Sequence, residues 1–204
     1  MATARATPDA RERLLAAAFR VIRRQGYAGT TVDDLCREAG VTKGAFFHHF
    51  AAKDALAIAA AEHWSIVTGA LFAAAPYHQP ADPLDRVLAY LDFRAELLRG
   101  ELPEFTCLVG TMAQETYATN DPIRAACGAS IRGHADTLVA DLDAARKQRR
   151  IRDRSWTAAS LALHTQAVIQ GAFVVAKALD DPQAAADSLA HLRRYVLLLF
   201  GRQP

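Results

Sequence analysis

Residues 30–53 read T-T-V-D-D-L-C-R-E-A-G-V-T-K-G-A-F-F-H-H-F-A-A-K, and no other stretch limits the fold as tightly. Two short helical patterns are joined at a single glycine. Thr31 precedes the first, with Asp34 three residues on, the spacing at which a hydroxyl and a carboxylate satisfy each other's backbone amides as a capping box. Val32, Leu35, Cys36 and Ala39 then share one face. Gly40 turns the chain, Val41 fills the corner, and Thr42 caps a second, very short helix. In that helix Phe46 and Phe50 are four apart and share the buried side, whereas Lys43, Gly44 and Phe47 fall on another. A hydrophobic ring on an exposed face needs a partner. Duplex DNA offers phosphate or base edges to the cation, close backbone approach over the glycine, and a thymine methyl or sugar to the ring. The segment is therefore expected to be a helix-turn-helix with its second helix in the major groove.

The charge distribution agrees with a polyanion at this end. Residues 1–53 carry 9 Lys/Arg against 5 Asp/Glu, and residues 54–204 carry 15 against 17. A basic head on a slightly acidic body results. The three cysteines, Cys36, Cys107 and Cys127, form no C-x-x-C pair, which argues against a disulfide framework or a structural zinc. The first residues lack an apolar signal region, and no unbroken apolar run reaches the ~18–20 residues of a membrane span. The expectation is a cytoplasmic chain with no metal, no cofactor and no membrane contact.

The rest of the chain reads as helices throughout, with no strand pattern. Thr7-Pro8 is a helix start, followed by Leu15, Ala18, Phe19 and Ile22 on one stripe and Gly26 as a C-cap. Lys53, at the start of a long alanine-rich helix running to about Ala75, combines a cation with a helix N-terminus and is expected to clamp phosphate. Pro76 ends that helix. Asp82-Pro83 opens the next, to about Gly100, and Pro103 another, through Cys107 and Glu115. Asn120-Asp121-Pro122 opens a long helix to about Arg149, Asp153 or Ser155 caps one ending near Leu179, and Asp181-Pro182 opens the last.

The run G-Y-A-G-T-T-V-D-D-L-C-R-E-A-G-V-T-K-G-A-F-F-H-H-F-A-A-K-D-A-L resembles the N-terminal signature of TetR-family transcriptional repressors. The resemblance is strong over about residues 9–57. It implies an all-α chain of about nine helices: a three-helix DNA-binding head over 1–53, and a helical ligand-binding and dimerisation domain over 54–204. It implies a homodimer on palindromic operator DNA, released by a small-molecule inducer. By position, Thr31, Thr42, Lys43, Gly44, Phe47, His49 and Lys53 would touch DNA. Two positions depart from the pattern. Phe47 stands where tyrosine is most frequent, and Ala52 stands where a capping residue precedes the lysine. Each departure forgoes about 1 kcal/mol if a net hydrogen bond is lost.

A second stretch, F-T-C-L-V-G-T-M-A-Q-E at 105–115, is similar to the subset of the family that includes NemR-like electrophile sensors. Cys107 would sit near a helix N-terminus, a position that favours the thiolate. It reads either as a reactive thiol or as a small buried side chain. Trp64, Phe93, Cys107, Met112, Glu115 and Phe173 are the inducer-pocket candidates, Glu115 as the carboxylate for a cationic ligand. Ala167, Gly171 and Ala172, with Leu189, Leu192, Val196 and Phe200, are expected at the dimer seam. The competing readings are an all-helical enzyme and an adaptor without specific DNA binding. No glutamate has a histidine three residues later, so the di-iron carboxylate pattern is missing.

Overall fold

The computed structural model describes residues 8–203. Among them there are eleven α-helical segments and no strand. They are α1 (Ala10–Gln25), α2 (Val32–Ala39), α3 (Lys43–His49), α4 (Lys53–Ala73), α5 (Pro83–Glu96), α6 (Leu102–Phe105), α7 (Leu108–Thr116), α8 (Asp121–Asp136), α9 (Val139–Gln148), α10 (Ala158–Leu179) and α11 (Pro182–Leu199). A 3-10 turn at Pro76–His78 follows α4. The count exceeds nine because two expected helices are each broken. Thr106 adopts an extended backbone and separates α6 from α7. The Thr137 hydroxyl donates to the His134 carbonyl at 2.7 Å, and Thr137 and Leu138 then make only three-residue backbone bonds, which separates α8 from α9.

Local chemistry accounts for most boundaries. Asp9 caps α1 and forms a capping box with Glu12, two residues later than expected. The expected cap, Thr7, and Arg5 lie outside the described residues. Asp82, Asn120 and Asp181 accept amides at the starts of α5, α8 and α11, as their positions before proline or aspartate predict. At α10 the cap is Thr157, boxed with Ser160. Asp153 instead accepts the Ser155 amide in a two-residue turn. The basic stretch at 146–150 largely pairs within the second unit: Arg146 lies 4.4 Å over the Trp156 ring, Lys147 pairs with Asp143 and Arg149 with Asp82.

The chain forms two compact units. The first comprises residues up to 66 together with 108–128, so it takes in the first part of α4, α7 and the first half of α8. Its core is Leu14, Leu15, Ile22, Leu35, Phe46, Leu56, Met112 and Ile123, all essentially inaccessible. The second comprises 67–107 and 129–203, where α5, α9, α10 and α11 pack around Leu84, Leu91, Leu142, Ile169, Leu189 and Val196.

α4 and α10 are long and apolar enough, by length and composition, to cross a membrane. The apolar residues are mostly alanine, leucine, isoleucine and valine spread along each helix rather than one unbroken run. α10 buries Leu161, Ala162, Ile169, Phe173 and Ala176, with the polar Thr165 and Gln166, in the second unit's core.

α10 and α11 also correct the expected seam. Ala172, Leu189, Leu192, Val196 and Phe200 are buried within the chain itself. The apolar groups left exposed on these helices include Leu163, Val174, Val175, Leu179, Tyr195 and Leu198. Periodicity identifies an apolar face, but a helix with two such faces does not announce which one its own chain covers.

Candidate nucleic-acid interface

α2 begins on the expected box. The Thr31 hydroxyl accepts the Asp34 amide at 3.1 Å, and Asp34 accepts the Thr31 amide at 3.1 Å and its hydroxyl at 2.7 Å. These bonds from Thr31, helped by Arg37, hold the Asp34 carboxyl down at about 2. Gly40 ends α2 in the left-handed region (φ 62°), which glycine enters without strain. Arg13 of α1 donates to the Gly40 carbonyl at 3.2 Å, tying the corner to the first helix. Thr42 caps α3 by accepting the Ala45 amide at 3.2 Å.

α3 is held from behind by two rings. Phe46 is fully buried and Phe50 nearly so, with centroids 5.9 Å apart. Phe47 meets Phe46 edge-on at 5.2 Å yet remains 55 % exposed. Thr42, Lys43, Gly44 and His48 are exposed beside it, and His49 is half-buried. Lys43 pairs with Asp33 at 2.7 Å, which raises its pKa. Both side chains are more than half exposed, so the pair is weak and easily exchanged for another anion. A Cβ on Gly44 would meet the Thr42 hydroxyl at an ordinary 3.7 Å, so nothing inside the chain requires glycine there.

Two expected contact residues are engaged differently. Thr31 is exposed, but its hydroxyl serves the capping box. Lys53 points inward: its ammonium donates to the Tyr27 carbonyl at 3.0 Å and the Thr30 carbonyl at 2.9 Å, and lies 4.2 Å from the centre of the Tyr27 ring.

The six pocket candidates fall into two groups. Trp64, Met112 and Glu115 belong to the first unit. Trp64 packs edge-on against Phe19 at 5.1 Å with Arg23 over its ring, Met112 is core, and Glu115 accepts the Tyr27 and Ala28 amides at 3.0 and 2.7 Å. The Glu115 carboxylate therefore meets backbone amides where a cationic ligand was expected. Phe93, Cys107 and Phe173 belong to the second unit. Phe93 joins Phe72 and Tyr77 in an aromatic cluster, Phe173 packs beside Phe105, and Cys107 is half-buried directly ahead of α7.

That aromatic cluster surrounds three polar side chains, Tyr90, His134 and Gln166. Gln166 donates to the Tyr90 hydroxyl at 3.1 Å, and Tyr90, fully buried, stands 2.9 Å from His134 Nε2. Burial, and secondarily Arg94, pushes His134 down to about 4, so its ring is neutral at pH 7. The Tyr90 hydroxyl accepts from Gln166 and is hydrogen-bonded to His134 Nε2, with the imidazole tautomer setting which of the two donates. Tyr90 and Gln166 sit within apolar helical stripes, and only their polar tips distinguish them.

The chain matches two family models. Residues 14–60 match that described as bacterial regulatory proteins, tetR family, and residues 83–187 match the transcriptional regulator LmrA/YxaF-like C-terminal domain. The chain is 32 % identical over 128 residues to the HTH-type transcriptional regulator LmrA of Bacillus subtilis, an alignment covering 58 % of this chain and 63 % of LmrA. It is 28 % identical over 135 residues to the HTH-type transcriptional repressor NemR of Escherichia coli, covering 61 % and 63 %. The chain thus matches less than two thirds of either relative's length. Among solved structures, a regulatory protein TetR from Rhodobacter sphaeroides superposes with a TM-score of 0.79 at 24 % identity, over 91 % of this chain and 98 % of that one. The reduced form of E. coli NemR superposes with a TM-score of 0.76, also at 24 % identity, over 91 % and 95 %. With an N-terminal helix-turn-helix matching one model and more than half its length matching the other, this chain belongs to the TetR family of transcriptional regulators.

Proposed function

We propose that the protein is a ligand-responsive repressor that binds palindromic operator DNA as a homodimer and acts in the cytoplasm. The observation that carries the reading is the outer face of α3. Thr42, Lys43, Gly44 and Phe47 lie exposed in one row, with His49 at its edge, on a helix anchored through Phe46. Lys43 is held only by an exposed ion pair and Gly44 leaves room for a phosphate backbone. Lys53 and Thr31 enter this reading as residues that hold the head's backbone in place. Dimerisation uses the exposed stripes of α10 and α11, where His164, Val168, Ser188, His191 and Tyr195 line a groove of about 310 Å³. The small molecule acts in the second unit at the Tyr90–His134–Gln166 group, whose neutral polar atoms and surrounding rings suit an uncharged, partly aromatic ligand.

Selection from a random duplex pool tests the reading. The protein is expected to enrich a two-fold-symmetric sequence, with affinity falling steeply as salt rises, and Lys43→Ala is expected to lower the salt slope by about one. An adaptor without specific DNA binding would enrich nothing over the input at about 150 mM salt, and that outcome rejects the proposal.

Cys107 adds a second reading, electrophile or redox sensing. It is supported by the half-buried thiol ahead of α7 and by similarity to NemR, one of whose structures is described as a reduced form. Alkylation with N-ethylmaleimide is expected to release the selected duplex from the wild type but not from Cys107→Ser. Equal responses discard this role for the thiol.

A further inference from the structure

The turn between α1 and α2, residues 26–30, is held by side chains that lie outside the helix-turn-helix. Glu115, near the end of α7, accepts two consecutive amides, those of Tyr27 and Ala28. Gly26 makes room for this. Its φ is +81°, which strains any side chain, and a Cβ there would lie 2.6 Å from Glu115 Oε1, so the carboxylate would have to move away from the turn. From the other side Lys53 binds the Tyr27 and Thr30 carbonyls. The Tyr27 hydroxyl donates to one oxygen of Asp54, and Asn120, the cap of α8, donates to the other at 2.7 Å. The Thr30 hydroxyl closes the turn on the Gly26 carbonyl at 2.5 Å.

This turn ends at Thr31, the cap of α2, and α2 leads through Gly40 to α3. A carboxylate bound to two amides is a charge-assisted, two-point contact with a defined direction. Any displacement of α7 relative to α1 must either break both bonds or carry the turn, and with it the start of α2. We propose that Glu115 is a positioning residue for DNA recognition: through the 26–30 turn it sets where α2 and α3 stand, with Asn120 acting on the same turn through Asp54 and Tyr27. This inference rests on the DNA-binding reading above and assigns α7 a part in it without any contact to DNA.

The sign of one substitution separates this role from electrostatics. Glu115→Gln removes a negative charge from the first unit, and charge alone would tighten binding to a polyanion. Loss of the clamp weakens it. For the duplex selected by the wild-type protein, Kd is expected to rise about tenfold in Glu115→Gln, with the salt slope unchanged because no phosphate contact is lost. Binding to a random duplex is expected to stay level or tighten, so the specific-to-random ratio falls. A merely destabilised protein would lose both in parallel and keep the ratio. A parallel loss, or tighter specific binding, overturns the proposal. Should Glu115→Gln not fold, Asn120→Ala is read by the same ratio, with a fall of a few-fold expected and an unchanged ratio overturning the proposal. If the wild-type protein selects no duplex, the DNA-binding reading fails first, before any variant is compared.

Discussion

Phe46→Ala is expected to destabilise the first unit by about 3–5 kcal/mol and to abolish DNA binding, whereas Phe47→Ala is expected to leave stability within about 0.5 kcal/mol and weaken DNA binding alone. The two residues are adjacent and chemically identical. Phe46 has no accessible surface and packs beside Phe50, behind a helix of only seven residues. So short a helix has little intrinsic stability, and its position comes from packing. Removing the ring leaves a cavity at the contact that holds α3 against α1 and α2. Phe47 presents more than half its surface to solvent. Its truncation removes little native packing. It forfeits the apolar burial that DNA would supply, about 1–2 kcal/mol at 25 cal/mol per Å², or roughly tenfold in affinity. Urea unfolding and a DNA titration of both variants check the pair. Equal stability losses would show that Phe47 is also core, and unchanged DNA affinity for Phe47→Ala would remove it from the interface.

The second large effect is at Lys53. Lys53→Met keeps most of the aliphatic stem and removes the ammonium, so the Tyr27 carbonyl keeps the Thr30 amide alone, the Thr30 carbonyl loses its side-chain donor and the Tyr27 ring loses its cation. Hydrogen bonds to a charged group contribute about 1.5–3 kcal/mol each, and the carbonyls regain some water in the variant, so a loss of about 2–4 kcal/mol is expected. The slope of log affinity against log salt is expected to stay as in the wild type. A phosphate contact would do the reverse, lowering the slope by about one with little change in stability. Lys43→Ala provides the comparison, since Lys43 is exposed and paired only with Asp33. If Lys53→Met lowers the slope and Lys43→Ala does not, the assignments of the two lysines are exchanged.

The contrast between these lysines shows what the sequence carried. Lys43 was placed by its angle on a short helix, and the structure leaves it exposed on that face. Lys53 was placed by its position at a helix start, where phosphate is a reasonable partner. Its partners are backbone carbonyls 23 and 26 residues away. Carbonyls are identical at every position and leave no trace in side-chain pattern. Glu115 is the same case: an acidic residue on an amphipathic helix, with nothing in its neighbours to mark the two amides it meets 87 and 88 residues earlier.

By itself the sequence determined what local rules decide. The all-helical class, the Thr31–Asp34 box, the Gly40 corner, the Thr42 cap and the division of Phe46 and Phe50 from Phe47 all follow from spacings of one to four residues, where cap chemistry and helical angle act. Only the tertiary structure decided which apolar face of α10 and α11 the chain covers for itself. It alone brought Tyr90, His134 and Gln166 together, and it turned Glu115 and Lys53 inward onto the 26–30 turn. These outcomes depend on partners distant in sequence, and a hydrogen bond or a packed face is defined by both members of the pair, of which a local pattern contains only one.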